Sequence, residues 1–246
     1  MTAAFDDLAF SNRPDIAAPV EALPGRDALL RLIVERRSVR AFSGQPVDRA
    51  FVEAILDVGR WAPSGANIQP WEVHVLSGKT KERFTELLLQ QRAARAPERP
   101  DYQYYPVEWH EPYKSRRMAL GVSMYRAYGA AKGRKSREES WNRNYVFFDA
   151  PVGLLFFIRR DLATGSWVDY GMFIQNVILA ARAYGLETCP QASLSEYPDV
   201  ARELLGIGPD HLFVCGISLG HPDWTQPVNG FARVRIDVAE FTTFHD

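Results

Sequence analysis

The residues that could do chemistry in this chain are mostly arginines. Arg36, Arg37 and Arg40 crowd around Ser38 in the run RRSVRAFSGQPV, and a second basic pair, Arg233 and Arg235, stands near the C-terminus. Arginine outnumbers lysine 24 to 5, and a guanidinium grips an oxyanion through two parallel charge-assisted hydrogen bonds. Two such clusters, almost two hundred residues apart in sequence, can converge on one dianion. No G-x-G-x-x-G and no G-x-x-x-x-G-K-[ST] occurs, so a phosphate site has to be built from side chains. Basic residues at a helix end also suit the helix macrodipole, and the first cluster taken alone leaves both readings open.

Other motifs carry less. GISLG at 216–220 has the G-x-S-x-G form of a nucleophile elbow, which needs a helix straight after the serine. Pro222 and Pro227 follow instead and exclude a helix of useful length there, so the segment reads as a buried strand. The five histidines lie far apart with no ligand spacing and there is no C-x-x-C, so no metal site is expected. Cys189 and Cys215, the only cysteines, both sit in apolar stretches. They read as packing residues in a reducing compartment rather than as a disulfide framework or a redox thiol.

The elements that position these residues follow from hydrophobic period. Residues 1–26 hold three prolines and no apolar period and read as an extended N-terminal arm. Residues 27–246 read as one domain, because a chain of 246 residues buries roughly 70–75% of its unfolded surface without staples. Apolar residues at 29, 30, 33 and 34, and again at 51, 52, 55, 56 and 58, predict two amphipathic helices. The loop WAPSGANIQPW follows the second helix, and 71–76 alternates as a half-buried strand. Helices are predicted over 79–96, near 116–131 and near 199–205. The apolar run 150–158 and the segments 186–189 and 212–220 predict strands. Ser166 and Asp169 have the spacing of a capping box before a helix to Ala183 that is apolar almost all round, and burial of the whole helix is expected. Helices dominate a mixed order, so the fold class is α+β.

Between these elements, about 97–143, lies an insertion that is aromatic at first and basic at the end. Residues 114–143 hold nine Lys and Arg against Glu138 and Glu139, a local +7 in a chain of net charge -1. That balance excludes a whole-molecule nucleic-acid or acidic-membrane binder. The longest uncharged apolar stretch has nine residues, well short of the roughly 20 that cross a bilayer. The acidic N-terminus has no signal-peptide pattern, and a cytoplasmic location is expected.

Taken with the loops around them, these residues resemble the FMN-dependent nitroreductase superfamily, and most of all its nitrobenzoate-reductase-like branch. The resemblance rests on residues 36–78 with their flanking helices, on DYGMFIQNVILAARAYGLETCPQASLSEYPDVARELLGI, and on VCGISLGHPD and NGFARVR. It covers roughly residues 28–95 and 145–241. It implies a nitroreductase-like fold, a central mostly antiparallel sheet surrounded by helices, in an intertwined homodimer with FMN at the interface.

The resemblance also implies roles. Arg36, Arg37, Ser38 and Arg40 would bind the flavin phosphate and ribityl chain, with Arg233 and Arg235 completing the clamp. Pro63, Ser64, Asn67 and Gln69 would reach the flavin of the other subunit. The segment after the buried helix would present backbone N–H groups to flavin N5 and O4, which makes Pro190, Gln191, Ala192 and Ser193 candidates. Many relatives have Glu-Gly where this chain has Ala192-Ser193, which keeps the backbone donors and loses a carboxylate. The chemistry would belong to FMN, taking hydride from NADH or NADPH at N5 and passing electrons to a small nitroaromatic or quinone-like acceptor in a ping-pong cycle. Tyr113, Arg116, Arg117 and Tyr125 are candidates for the acceptor site, with Arg116 or Arg117 also able to face flavin N1/O2. A reductive dehalogenase resembling iodotyrosine deiodinase is the alternative, with Glu108, Glu111, Tyr113 and Lys114 in its lid. Oxygen-dependent flavin destruction and a non-enzymatic FMN-binding protein are the others.

Overall fold

A computed structural model of the chain describes residues 25–129 and 134–245. The elements are α1 (Arg26–Glu35), α2 (Arg49–Gly59), β1 (Glu72–Ser77), α3 (Gly78–Ala93), α4 (Tyr113–Ala127), α5 (Arg134–Asn142), β2 (Val152–Arg159), α6 (Thr164–Ala183), β3 (Glu187–Gln191), α7 (Pro198–Leu205) and β4 (His211–Gly220). The arm expected at the N-terminus falls almost wholly outside the described residues.

All four strands pair antiparallel in the order β1-β2-β4-β3. β2 is a continuous apolar run because both of its faces are covered. Successive side chains of a strand point to opposite faces. Val152, Leu154, Phe156 and Ile158 therefore join the core beneath α2 and α6, and Leu155 and Phe157 join the one containing Phe84, Leu88, Val200 and Ala201 of α3 and α7. α2 packs so closely on α6 that a Cβ on Gly59 would stand 2.7 Å from Val177 Cγ2. Tyr170 of α6 fastens the sheet edge, its hydroxyl lying 2.8 Å from the carbonyls of both Glu72 and Phe157 and accepting the Glu72 N–H at 3.1 Å.

Three expectations change. α6 starts at Thr164 with Ala163 as its cap and no side-chain capping bond, so Ser166 and Asp169 lie inside the helix and form no capping box. α6 is not wholly buried either, because Val168 is 65% and Met172 37% exposed on one stripe. α1 buries none of its residues, leaving Leu29, Leu30, Ile33 and Val34 open. Within the basic segment the structure adds α5, a helix whose mostly polar sequence gives little apolar period. Ser218 is fully buried in mid-strand, and its hydroxyl donates to Gln191 Oε1, which leaves no exposed nucleophile at GISLG.

Candidate active site

The run after α1 is extended because it pairs with β3. Ser38 bridges Thr188 in parallel, and the Val39 N–H donates to the Thr188 carbonyl at 2.9 Å. Asn229 fixes the C-terminal return against this run. Its buried side chain accepts the Arg40 N–H and donates to the Ala41 and Asp223 carbonyls, each at 2.8 Å. Residues 231–236 are thereby brought beside residues 36–40. Sequence reasoning gave Asn229 no role, although it opens the NGFARVR run; a buried amide satisfied by backbone on three sides has no signature in a single sequence.

The two arginine clusters meet on one cavity of about 520 Å³, lined by Arg36, Arg37, Ser38, Arg40, Arg233 and Arg235, with Arg116 of α4 on the far wall. The arginines divide by occupation. Arg37 Nη2 donates to the Phe231 carbonyl at 2.5 Å, Arg233 Nη2 donates to Val34 O at 2.9 Å, and Arg233 Nη1 donates to Arg36 O. Arg37 and Arg233 thus fasten the two segments to each other. The Arg36 guanidinium has no hydrogen bond or salt bridge among the described residues, and Arg40 and Arg235 each spend one nitrogen on a backbone carbonyl close in sequence.

Among the described residues no carboxylate lines the cavity. Burial lowers the Arg36 pKa, and the positive charges of Arg235 and Arg233 lower it further. Arg37 is lowered by burial and then by Arg233. The nearby Glu187 is engaged by Arg182, and burial raises its own pKa. Guanidinium groups that repel one another, half-buried at Arg36, Arg37 and Arg40 and exposed at Arg233 and Arg235, fit an anion with several acceptor oxygens, such as a phosphate monoester.

Arg40 also lines a second cavity of about 560 Å³, together with Phe42, Tyr128, Arg143 and Asp149. Arg143 is paired with Asp149 at 2.7 Å. Beyond Thr188, β3 runs on to Pro190 and Gln191 and turns at Ala192–Glu196. Pro190 is exposed, Gln191 and Ser193 are buried, and Ala192 lies between. The Ser193 hydroxyl is buried and has no hydrogen-bond partner among the described residues.

The loop at 63–69 lies elsewhere. Ala66, Asn67 and Gln69 are left-handed, with φ of 50°, 56° and 49°, a strained arrangement for non-glycine residues. It is held by the Ser64 hydroxyl accepting the Gln69 N–H at 3.0 Å, by Gln69 Nε2 donating to Asn67 O at 3.1 Å, and by Asp169 accepting the Gly65 N–H at 3.1 Å. Pro63, Asn67 and Gln69 are exposed and line neither cavity. Asp169 sits near the start of α6, whereas Arg182 at its end binds Glu35 and Glu187 beside the arginine cavity. At 1.5 Å per residue the two are separated by about 20 Å, so one chain does not bring the loop and the arginines together.

On α4, Arg116 faces the arginine cavity, with its guanidinium 5.9 Å from the Tyr113 ring and 4.0 Å from the Glu240 carboxylate. Arg117 points away and stacks over Trp109 at 4.9 Å. Tyr125 is half-buried and lines neither cavity. Trp109 ends a run of ring contacts through Tyr105, Tyr104 and Tyr102 to Trp167 of α6. Glu111 accepts the Ser115 N–H at 3.2 Å and so caps α4.

The sequence model of the Nitroreductase family matches residues 33–221. The chain is 38% identical over 234 residues to a 4-nitrobenzoate reductase of Nocardioides sp., covering 94% of this chain and 95% of the relative. It is 40% identical to a chloronitrobenzene nitroreductase of Comamonas testosteroni over 215 residues, 87% of this chain and 95% of the other. The solved FMN-dependent nitroreductase NfnB of Mycobacterium smegmatis, in complex with NADPH, superposes with a TM-score of 0.85 at 32% identity, covering 89% of this chain and 99% of that one. By that match and these identities, this chain belongs to the nitroreductase family.

Proposed function

We propose that the protein is an FMN-dependent oxidoreductase that uses NADPH or NADH to reduce a nitroaromatic or quinone-like acceptor. The observation that carries this reading is the convergence of Arg36, Arg40 and Arg235 on one cavity without a carboxylate. FMN, when bound, supplies the centre that accepts hydride from the nicotinamide and passes electrons to the acceptor in a ping-pong cycle.

The chain's own residues bind and orient. Arg36, Arg40 and Arg235 would take the phosphate oxygens with Ser38, while Arg37 and Arg233 keep the cavity closed by holding its two backbone segments. The amides at 191–193 would then donate to N5 and O4.

Pro63, Ser64, Asn67 and Gln69 would complete the flavin site of a second copy, which makes the working unit a homodimer. Open apolar surfaces on α1 and along α6 support that reading, since large exposed apolar patches mark association surfaces. Tyr113 and Arg116 would line the acceptor's approach. The two free cysteines are both buried, which supports a reducing, cytoplasmic location.

A visible spectrum of the purified protein, followed by anaerobic titration with each nicotinamide, tests the reading. Flavin absorbance that bleaches with NADPH or NADH and returns with a nitroaromatic is the expected result. A protein that binds no FMN overturns it.

A further inference from the structure

The turn Ala192–Glu196 is held from one side at both of its ends by two adjacent residues. Gln191, at its start, donates from Nε2 to the Asn144 carbonyl at 2.8 Å, while its Oε1 accepts the buried Ser218 hydroxyl. Glu196, at its end, accepts the hydroxyl of Tyr145, whose ring is fully buried. Asn144 and Tyr145 are themselves fixed to the end of α5, through Asn144 Nδ2 donating to Trp141 O at 2.8 Å and the Tyr145 N–H donating to Asn142 O at 3.0 Å. Nothing about the sheet requires a buried tyrosine to reach a carboxylate there, because a phenylalanine would fill the same core.

The charged groups that face Glu196 come from two more segments. Arg92 of α3 lies with its guanidinium 5.4 Å from the Tyr145 ring and bonds Glu98 at 2.9 Å. Burial raises the Glu196 pKa to about 7, Glu98 pushes in the same direction, and the Tyr145 bond and Arg92 oppose it. Inside the turn, the Ser195 hydroxyl donates to the Ala192 carbonyl at 2.8 Å. With both ends and the middle tied, the amides of Ala192 and Ser193 cannot shift independently of α5.

We infer that Asn144, Tyr145 and Glu196 are positioning residues that set the aim of the 191–193 amides, and so tune how much more tightly the protein holds reduced than oxidised FMN. This rests on the flavin reading given above. Donors held in place stabilise charge developing on a bound ring more than donors free to relax, so loosening the turn weakens the reduced form selectively while leaving the phosphate end untouched. The clamp also ties this turn to α5, part of the basic insertion.

The test compares wild type with Tyr145→Phe, Glu196→Ala and Glu196→Gln by FMN affinity, from quenching of flavin fluorescence, and by midpoint potential. Tyr145→Phe and Glu196→Ala are expected to bind oxidised FMN within about twofold of wild type. Reduced FMN should be held about tenfold less tightly, which is a negative shift of about 30 mV for a two-electron couple. Glu196→Gln, which keeps an acceptor for the Tyr145 hydroxyl, restores the potential. Unchanged potentials in both loosened variants, or a Glu196→Gln shift as large as that of Glu196→Ala, overturn the inference alone. A wild-type protein that binds no FMN overturns the flavin reading and this inference with it.

Discussion

Asp169, one turn into α6, accepts the Gly65 N–H at 3.1 Å across 104 residues of sequence. A carboxylate buried to 9% exposure thereby anchors to α6 a loop whose left-handed residues are otherwise held by hydrogen bonds within the loop itself. Replacing Asp169 by alanine removes a charge-assisted bond of roughly 1.5–3 kcal/mol and leaves the loop to relax. FMN affinity should fall about tenfold or more while the arginine cavity stays intact. Unaltered affinity in Asp169→Ala would separate this loop from the flavin site.

The arginine cavity makes a sharper demand. In the double variant Arg36→Ala, Arg235→Ala two guanidinium groups with unspent donors disappear, while Arg37 and Arg233 still fasten the backbone. FMN should bind at least tenfold more weakly, each lost charge-assisted bond being worth roughly 1.5–3 kcal/mol, with thermal stability of the apoprotein little changed or slightly raised as repulsion is relieved. Isothermal titration with FMN measures the first and a melting curve the second. Wild-type affinity in the double variant removes the phosphate from this cavity.

Much of this arrangement could be read from the sequence, for definite reasons. The strand at β2 and the helix ending at Gly206 follow from local period and from the left-handed glycine, whose φ is 70°. The convergence of Arg36 with Arg235 was legible only through charge and resemblance, since no local rule brings together residues so far apart. What stayed hidden was tertiary. Asp169 has the spacing of a capping residue, yet α6 begins two residues before Ser166 and the carboxylate turns to another segment. The exposed stripe at Val168 and Met172 has the composition of core, because a surface that a second copy would cover obeys the same chemistry as an interior.

That stripe supports a test of assembly. Obligate interfaces of the kind proposed bury about 2,000 Å² or more, and a charge within one is costly to desolvate. The variant Val168→Asp, Met172→Asp should shift the protein from dimer to monomer in sedimentation at micromolar concentration and lose FMN together with dimerisation. A wild-type monomer that retains FMN and oxidises NADPH would refute the shared site.

Glu196 gives the fold a pH dependence of its own. Its carboxyl, ordinarily near 4.5, is raised to about 7 by burial, so between those values the folded chain binds a proton that the unfolded chain does not. Stability contributed by the neutral acid is therefore full below about 4.5 and is lost as the pH rises through about 7. Melting temperature should drop between pH 5 and pH 8 in wild type by more than in Glu196→Gln, which carries no proton to lose. Parallel melting curves for the two proteins across that range would remove Glu196 as the source.

Charge near the acceptor's approach gives the last prediction. Arg116 faces the arginine cavity, and Arg126 and Arg143 line the neighbouring one; Lys132 and the side chains of Arg134, Lys135 and Arg137 lie outside the described residues. Among the lining residues of the second cavity, Asp149 pairs with Arg143 and Asp223 is occupied by Thr225 and Gln226, so Arg126 and Arg40 remain without a carboxylate partner there. An aryl carboxylate should accordingly be drawn in faster than its neutral counterpart. The value of kcat/KM for 4-nitrobenzoate should exceed that for nitrobenzene and fall as salt rises, because attraction between separated charges is screened over about 8–10 Å at physiological ionic strength. Arg116→Ala together with Arg126→Ala should narrow the gap between the two acceptors and flatten the salt dependence, acting on KM more than on kcat. Equal rates for both acceptors at all salt concentrations would leave these arginines as solvated surface.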